Sequence, residues 1–157
     1  MPIPTAPYLK RLTCWGLLGL FAVAGTSEAK KIRVATFNVL QGVEAPGTTE
    51  YNAIRDILTR VDADVIAFQE LKTATLGNWQ ALAAELGYSN SPYSASTTFA
   101  GGLYVGYFSR WPILSTHNVL STPPANEISR PPFRAVIDVP ATASPLVLWT
   151  IHLKALS

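Results

Sequence analysis

The sequence predicts a mixed α/β domain of the α+β type, with helices packed on one side of a β-sheet. A strand, a helix, a second strand and a second helix follow one another between residues 32 and 87. From residue 101 onward only strand and turn patterns occur. This order is typical of an α/β sandwich. A length of 157 residues indicates a single domain.

The first strand is predicted over Ile32–Asn38, where β-branched residues alternate with others. Residues 41–49 predict a loop because they contain two glycines and a proline. We expect Thr49 to cap the next helix, with Glu50 and Arg60 matching the charges at its two ends. The helix is predicted from one apolar stripe at helical spacing, formed by Ile54, Ile57, Leu58 and Val61.

The second strand is predicted over Val65–Phe68, which is nearly all apolar, as expected for a strand covered on both faces. The second helix is predicted to end at Gly87. Its apolar stripe comprises Trp79, Leu82, Ala83 and Leu86. Residues 89–98 are polar and predict a loop.

Four further strands are predicted in the second part of the chain. They span Leu103–Ser109, Ile113–Leu120, Phe133–Val139 and Leu146–Leu153. The aromatic side chains here are expected in the core or on the sheet face rather than in a base-stacking platform. They are Phe99, Tyr104, Tyr107, Phe108 and Trp111.

Residues 1–29 predict a secretory signal peptide. Two basic residues, Lys10 and Arg11, precede a 14-residue apolar run over 12–25, and small residues precede a cut after Ala29. The run is short for a transmembrane helix. We therefore expect a secreted protein, extracellular or periplasmic, without a membrane anchor after cleavage. An uncleaved anchor is the alternative.

The charge balance of residues 30–157 does not indicate binding along nucleic acid by bulk charge. This segment carries ten basic and nine acidic residues, so its net charge is near +1. The only cysteine, Cys14, lies in the predicted signal peptide. The mature chain would then have no disulfide, and its core would have to supply the stability.

Three polar residues at strand ends are candidates for a phosphoester site. The amide of Asn38 could orient a phosphate oxygen or a metal-bound water, although Asn is also a common turn residue. Glu70 follows a buried strand, where an unpaired charge is costly, so it could bind Mg²⁺ or end the strand in solvent. The imidazole of His152 could move a proton or contact a phosphate, or it could be a packed core residue.

Three arginines are further candidates for a phosphate site, whereas the second histidine is not. Arg130 and Arg134 precede or begin a strand and could bind phosphate, or they could lie in a solvated loop. Arg110 belongs either to a phosphate-facing loop or to a turn that closes a hairpin. His117 lies in a polar stretch and is expected at the surface.

Taken in order, five segments resemble the endonuclease/exonuclease/phosphatase family, which includes pancreatic-type deoxyribonucleases. They are Arg33–Asn38, Asp64–Leu71, Gly106–Pro112, Arg130 before its strand, and Thr150–Leu153. The resemblance covers nearly all of residues 30–157. It implies two facing β-sheets with outer helices, and a hydrolase of phosphodiesters or phosphomonoesters that uses Mg²⁺ or Mn²⁺.

The resemblance also implies roles for individual residues. Glu70 would be a metal ligand, and Asn38 would orient the metal and the phosphate. His152 would contact the phosphate or assist the leaving group, and Arg130 matches the phosphate-side arginine better than Arg134 does. The implied substrate is a phosphodiester or phosphomonoester, with nucleic acid as one candidate. No stable protein partner is expected.

One departure from the family pattern affects activity. The family's second half carries an Asp-x-Asn pair and an Asp-His pair, yet no acidic residue follows Asp138 here and no Asp-His dipeptide occurs. We therefore expect residues 30–157 to be the N-terminal part of such a domain, from a truncated product with weak activity or none. Alternatives are a sphingomyelinase-like or phosphoinositide-phosphatase-like hydrolase, and a non-catalytic secreted binding module.

Overall fold

The computed structural model describes residues 30–94, 103–119 and 132–152, which form two three-stranded sheets and two helices. The strands β1–β6 span Val34–Asn38, Val65–Lys72, Leu103–Ser109, Ile113–Asn118, Phe133–Ile137 and Leu146–Thr150. The helices α1 and α2 span Thr49–Val61 and Leu76–Glu85, and a 3-10 turn, Thr73–Thr75, precedes α2. The predicted α+β class with two sheets and outer helices is confirmed. The predicted signal peptide lies outside the described residues.

Sheet A contains β1, β2 and β3 in that order, and sheet B contains β4, β5 and β6. β1 and β2 are parallel, with Val34 opposite Val65, because α1 crosses over between them. All other strand pairs are antiparallel. Within the described ranges, no helix is long and apolar enough to cross a membrane.

Two cores fill the spaces on either side of sheet A. The first lies between sheet A and the helices and includes Leu58, Phe68, Trp79, Leu82 and Phe108. The second lies between the two sheets and includes Val65, Val105, Tyr107, Phe133, Ala135 and Ile137. Successive residues over 65–68 of β2 alternate between the two cores, which explains why this part of the strand is entirely apolar.

The aromatic residues pack as predicted wherever the structure describes them. Tyr107 and Phe108 are fully buried on opposite faces of sheet A. Tyr104 packs against the first core and Trp111 against the second. Phe99 lies outside the described residues.

Helix α1 differs from the prediction at its start and on its apolar face. Thr48, rather than Thr49, caps the helix, and its Oγ1 accepts the Tyr51 amide at 3.2 Å. Residues Tyr51 and Leu58 are buried, whereas Ile57 and Val61 are exposed. The predicted apolar stripe is therefore displaced around the helix from the buried face, which includes Tyr51. This side chain buries its ring and donates from its hydroxyl to Glu85 at 2.7 Å, and burial raises its pKa to about 12.

Helix α2 matches the prediction closely. Trp79, Leu82 and Ala83 are buried, and the chain leaves the helix through Gly87, whose φ is +77°. A left-handed residue just after a helix is a common way to end it, and glycine adopts that conformation without steric cost.

The segment after β3 is not the hairpin turn that the sequence allows. β3 and β4 belong to different sheets, so residues 110–112 carry the chain from sheet A to sheet B and close no hairpin. Arg110 pairs with Asp62 at 2.5 Å, and Arg33 pairs with the same carboxylate at 2.7 Å. The Arg110 guanidinium, and then that of Arg33, hold the pKa of Asp62 below its ordinary value.

The position of Arg110 also argues against a phosphate-facing role. Ser109 pairs with Val65, the first residue of β2. Arg110 therefore lies at the edge of sheet A where β2 begins, opposite the edge where Asn38 and Glu70 lie.

Candidate functional site

Asn38 and Glu70 lie at the same edge of sheet A. β1 and β2 are parallel, and Asn38 pairs with Gln69, the residue before Glu70. The carboxyl ends of parallel strands meet at one edge of a sheet, and ligands commonly bind there in α/β folds. The sheet topology therefore brings together two residues that are 32 positions apart in the chain.

Glu70 sits within β2 rather than after it. The strand was predicted to end at Phe68, but a bulge between Phe68 and Leu71 lets it continue to Lys72. Glu70 has a φ of +63°, a conformation that costs roughly 1–2 kcal/mol for a residue with a Cβ. Bulges redirect side chains beside active sites, and backbone strain concentrates at such sites. Glu70 is one of five described non-glycine residues with a positive φ, and of these it is the one within a strand.

His152 reaches the same place from sheet B. It follows β6 by two residues, and its Nε2 lies 3.4 Å from Glu70 Oε1. Each of the two side chains is 17% exposed. The fold thus brings together the two titratable residues that the sequence proposed for the site, and it leaves both partly accessible to a ligand.

The Asn38 side chain makes the local contact of a turn residue and also presents a donor that a phosphate could accept. Its Oδ1 accepts the Leu40 amide at 2.9 Å, which is the local contact expected of a turn-forming Asn. In this orientation Nδ2 is the end of the side chain that can donate outward from the exposed Asn38. Asn38 therefore suits a phosphate oxygen as a donor better than it suits a metal as an oxygen ligand.

The loop after Asn38 has an unusual backbone. Leu40, Gln41 and Gly42 all have positive φ angles. The loop is anchored on the β2–α2 segment, because Lys72 donates to Gln41 at 2.6 Å and the Val43 amide donates to Thr75 Oγ1 at 3.3 Å. Gly42 lies so close to Thr75 that a Cβ would come within 2.1 Å of its Oγ1.

Three further polar residues lie beside the site and were not singled out from the sequence. Gln69 Nε2 donates to Thr36 Oγ1 and to Thr150 Oγ1, each at 3.0 Å. Thr36 belongs to β1 and Thr150 to β6, so this side chain connects the two sheets. One signal was available: Thr150 and His152 are two residues apart and therefore point to the same side of an extended chain.

The remaining candidates lie elsewhere. Arg130 is outside the described residues. Arg134 alternates with the buried residues Phe133 and Ala135 of β5, so it lies on the face of sheet B that is turned away from sheet A. His117 is exposed on β4, as predicted.

A cleft of about 310 Å³ opens between β1 and β6, and its lining residues Gln69 and Ile151 directly precede Glu70 and His152 in the chain. Its lining includes Thr36, Gln69, Tyr107, Trp149 and Thr150. Other depressions of about 390 and 420 Å³ lie on β4 and on α1, and none of their lining residues belongs to this site.

The donor set of the site suits a hard cation only in part. Within the described residues, no group of three or more His, Cys, Asp and Glu side chains could hold a metal ion. Mg²⁺ is often bound by one or two carboxylates, with waters and substrate phosphates as its other ligands. A single partly buried carboxylate, Glu70, fits that minimal pattern.

Comparisons with known proteins agree with this architecture. The model of the endonuclease/exonuclease/phosphatase family matches residues 35–148. No curated protein sequence matches the chain. Among solved structures, the catalytic domain of human Nocturnin with a bound sulfate anion is similar, with a TM-score of 0.61 and 16% identity.

Two further structures show the same likeness. An endonuclease/exonuclease/phosphatase protein from Beutenbergia cavernae has a TM-score of 0.61 and 20% identity, over 78% of this chain and 38% of its own. ANGEL2, a 2′,3′-cyclic phosphatase solved with adenosine-2′,3′-vanadate, has a TM-score of 0.58 and 17% identity, over 78% of this chain and 41% of its own.

The match to Nocturnin covers 80% of this chain and 52% of that one. The chain thus spans about half the length of these structures, or less. At these identities, the structures establish the fold alone, whereas the family model covers most of the sequence. The chain belongs to the endonuclease/exonuclease/phosphatase family.

Proposed function

We propose that this chain carries part of the active site of a secreted, divalent-metal-dependent phosphohydrolase that cleaves phosphodiesters, as a nuclease does. The observation that carries the proposal is the contact between Glu70 and His152, 3.4 Å apart, at the sheet edge where Asn38 also lies. Family membership makes a hydrolase the expected class. The metal, the substrate and the secretion are parts of the proposal.

Glu70 would hold Mg²⁺ or Mn²⁺ through its carboxylate, with waters and substrate oxygens as the other ligands. Such a cation, when bound, polarises a phosphoryl oxygen and stabilises the charge of the leaving oxygen. The position of Glu70 on a strained bulge supports this role, since strain of this kind is retained where a side chain must be aimed.

The other residues would act on the phosphate. Asn38 would donate from Nδ2 to a nonbridging oxygen, with its own orientation held by the Leu40 amide. His152 Nε2 would donate to a phosphate oxygen or pass a proton to the leaving group, and Glu70 would orient its ring. Arg130, by its place in the family pattern, would add a guanidinium to the phosphate.

Turnover by this chain is expected to be weak. The resemblance to the family implies that an Asp-His pair supplies the base for the attacking water, and no Asp-His dipeptide occurs in this sequence. Binding of metal and phosphate should therefore be easier to detect than hydrolysis.

The proposed substrate is a phosphoester. A bound sulfate in Nocturnin and an adenosine vanadate in ANGEL2 show that related folds hold tetrahedral and nucleotide-derived anions. The second candidate substrate is a small phosphoester or a phospholipid headgroup. The near-neutral charge of residues 30–157 supports it, because a nuclease usually presents a basic surface to its substrate.

The experiment compares Glu70→Gln with the parent chain and with Glu50→Gln, which alters an exposed carboxylate at the start of α1. Mn²⁺ binding is measured by electron paramagnetic resonance. Hydrolysis is measured on plasmid DNA, RNA, sphingomyelin, a phosphoinositide and bis-nitrophenyl phosphate. We expect Glu70→Gln to abolish measurable Mn²⁺ binding and any metal-dependent turnover, and Glu50→Gln to retain both.

Two outcomes would decide against the proposal. Equal Mn²⁺ binding by the parent chain and Glu70→Gln would remove Glu70 from the metal site. If neither Mn²⁺ nor inorganic phosphate binds the parent chain, the alternative of a non-catalytic binding module is favoured. Preference for sphingomyelin or the phosphoinositide over DNA would replace the nuclease-like substrate by a lipid.

A further inference from the structure

The spacing between Glu70 and His152 is a feature that backbone pairing alone does not determine. Glu70 belongs to sheet A and His152 follows the last strand of sheet B. The two sheets share no ladder of backbone hydrogen bonds. Something other than strand pairing must therefore hold β2 and the end of β6 in register with each other.

Gln69 lies where such a connection is needed. It is adjacent to Glu70 in the chain, and Thr150 lies two residues before His152. Gln69 Nε2 donates to Thr150 Oγ1 at 3.0 Å across the gap between the sheets. The same nitrogen donates at 3.0 Å to Thr36 Oγ1, on the neighbouring strand of sheet A.

The burial of Thr150 makes the connection between the sheets stiff. Thr150 is 2% exposed, so its hydroxyl has little access to water. A buried hydroxyl left without a partner is destabilising, and this cost disfavours sliding β6 past β2. The backbone of Gln69 is held as well, because its carbonyl accepts the Val39 amide at 3.1 Å. The backbone of Gln69 is therefore fixed to sheet A, and its side chain reaches sheet B with one donor.

We propose that Gln69 is a positioning residue that sets the distance between Glu70 and His152 by tying Thr150 of sheet B to sheet A. The inference rests on the proposed function for the meaning of that distance. It assigns no contact with substrate to Gln69. It predicts that the bond across the sheets matters for the site, whereas the bond to Thr36, within one sheet, does not.

The test uses four single variants of the full chain. Gln69→Leu removes the donor, and Thr150→Val removes the receiving hydroxyl without changing the size of the side chain. Thr150→Ser keeps the hydroxyl. Thr36→Val is the matched control, since it removes the same kind of bond within sheet A. Urea unfolding verifies that each variant folds.

Two measurements are made on each variant. Crystal structures give the distance between Glu70 Oε1 and His152 Nε2, and electron paramagnetic resonance gives the Mn²⁺ dissociation constant. We expect Gln69→Leu and Thr150→Val each to lengthen the distance by more than about 1 Å. Mn²⁺ binding should weaken roughly 10-fold, because His152 is the side-chain partner of Glu70 and displacing the partner of a metal ligand lowers affinity by that order. Thr150→Ser and Thr36→Val should match the parent chain in both.

The double variant Gln69→Leu/Thr150→Val should be no worse than either single variant, because both remove one interaction. The inference is wrong if Thr150→Val leaves the Glu70–His152 distance unchanged, or if Thr36→Val changes it as much. Should Gln69→Leu fail to fold, the comparison of Thr150→Val with Thr150→Ser still decides. If Glu70→Gln retains Mn²⁺ binding, the proposed function fails, while the measured distance continues to test the role of Gln69.

Discussion

Sheet A and sheet B have the same number of strands but very different surroundings. Sheet A is covered on one face by α1 and α2 and on the other by sheet B. Sheet B packs its inner face against sheet A, while Leu114, Val147 and Trp149 of its strands are exposed. Because apolar burial is the main source of folding free energy, sheet A should be the more stable region.

This difference bears directly on the candidate site. Asn38 and Glu70 come from the doubly covered sheet, and His152 follows the edge strand of the singly covered one. Asn38 and Glu70 therefore stand on the more stable part of the molecule. The histidine depends on contacts between the sheets, such as those of Gln69 and Tyr107, for its position.

The comparison can be tested most strongly with two tryptophans. Trp79 is fully buried under sheet A, and Trp149 is 50% exposed on sheet B. Trp79→Ala should lower the free energy of unfolding by about 3–5 kcal/mol because it leaves a large cavity. Trp149→Ala should lower it by about 1 kcal/mol or less. Urea unfolding measures both, and equal losses would remove the distinction between the sheets.

Two glycines provide the next largest effect, in the loop that follows Asn38. Gly42 and Gly47 both have positive φ, but only Gly42 has a neighbour in the way of a Cβ, the Thr75 hydroxyl. Gly47→Ala should cost roughly 1–2 kcal/mol from backbone strain alone. Gly42→Ala should cost roughly 2–4 kcal/mol, since overpacking adds to the strain. Similar losses in urea unfolding would show that the loop is not anchored on sheet A.

The connection between the sheets can be weakened through Tyr107. Its hydroxyl donates to the Phe133 carbonyl of sheet B at 2.8 Å, and burial raises the pKa of the phenol. Tyr107→Phe should cost about 1–2 kcal/mol because a buried carbonyl loses its partner. Hydrogen exchange should accelerate in β5 and β6.

Tyr88→Phe is the matched control for Tyr107→Phe. The Tyr88 hydroxyl also donates at 2.8 Å to a buried carbonyl, that of Ala63, which lies in the helix-covered core beside sheet A. The two variants should lose similar stability. Only Tyr107→Phe should change exchange in sheet B, and faster exchange there in both variants would contradict this assignment.

The smallest effect is expected at the exposed carboxylate Asp62, where α1, β1 and β3 are joined. Because Arg110 and Arg33 lower its pKa in the folded chain, the unfolded chain binds protons more tightly at this group. Its contribution is present above about pH 4 and is lost as the pH falls through the lowered pKa. Asp62→Asn should therefore flatten the acid limb of stability against pH, as followed by thermal unfolding.

Arg110→Gln should reproduce most of that flattening, because the Arg110 guanidinium is the larger cause of the shift. Acid limbs that are identical in the parent chain and in Asp62→Asn would mean that the ion pairs contribute nothing to stability. Exposed pairs are often that weak.

The sequence could predict whatever depends on neighbours in the chain. The alternation over residues 34–38, the apolar run at Val65 and the helical spacing of Trp79, Leu82 and Ala83 each indicated the element that the structure contains. It also indicated that Asn38, Glu70 and His152 end or follow strands. Local propensity and periodicity carry these signals because they act within one or two turns of the chain.

The tertiary structure decided what depends on distant residues. The bulge at Glu70 forms because β2 pairs with β3 on both sides of it. Helix α1 packs on sheet A through the face that carries Tyr51 and Leu58, so Ile57 and Val61 stay outside the core. The hydrogen bond from Gln69 to Thr150 joins residues 81 positions apart. Contacts of that separation depend on how two sheets pack, which no periodicity in the sequence records.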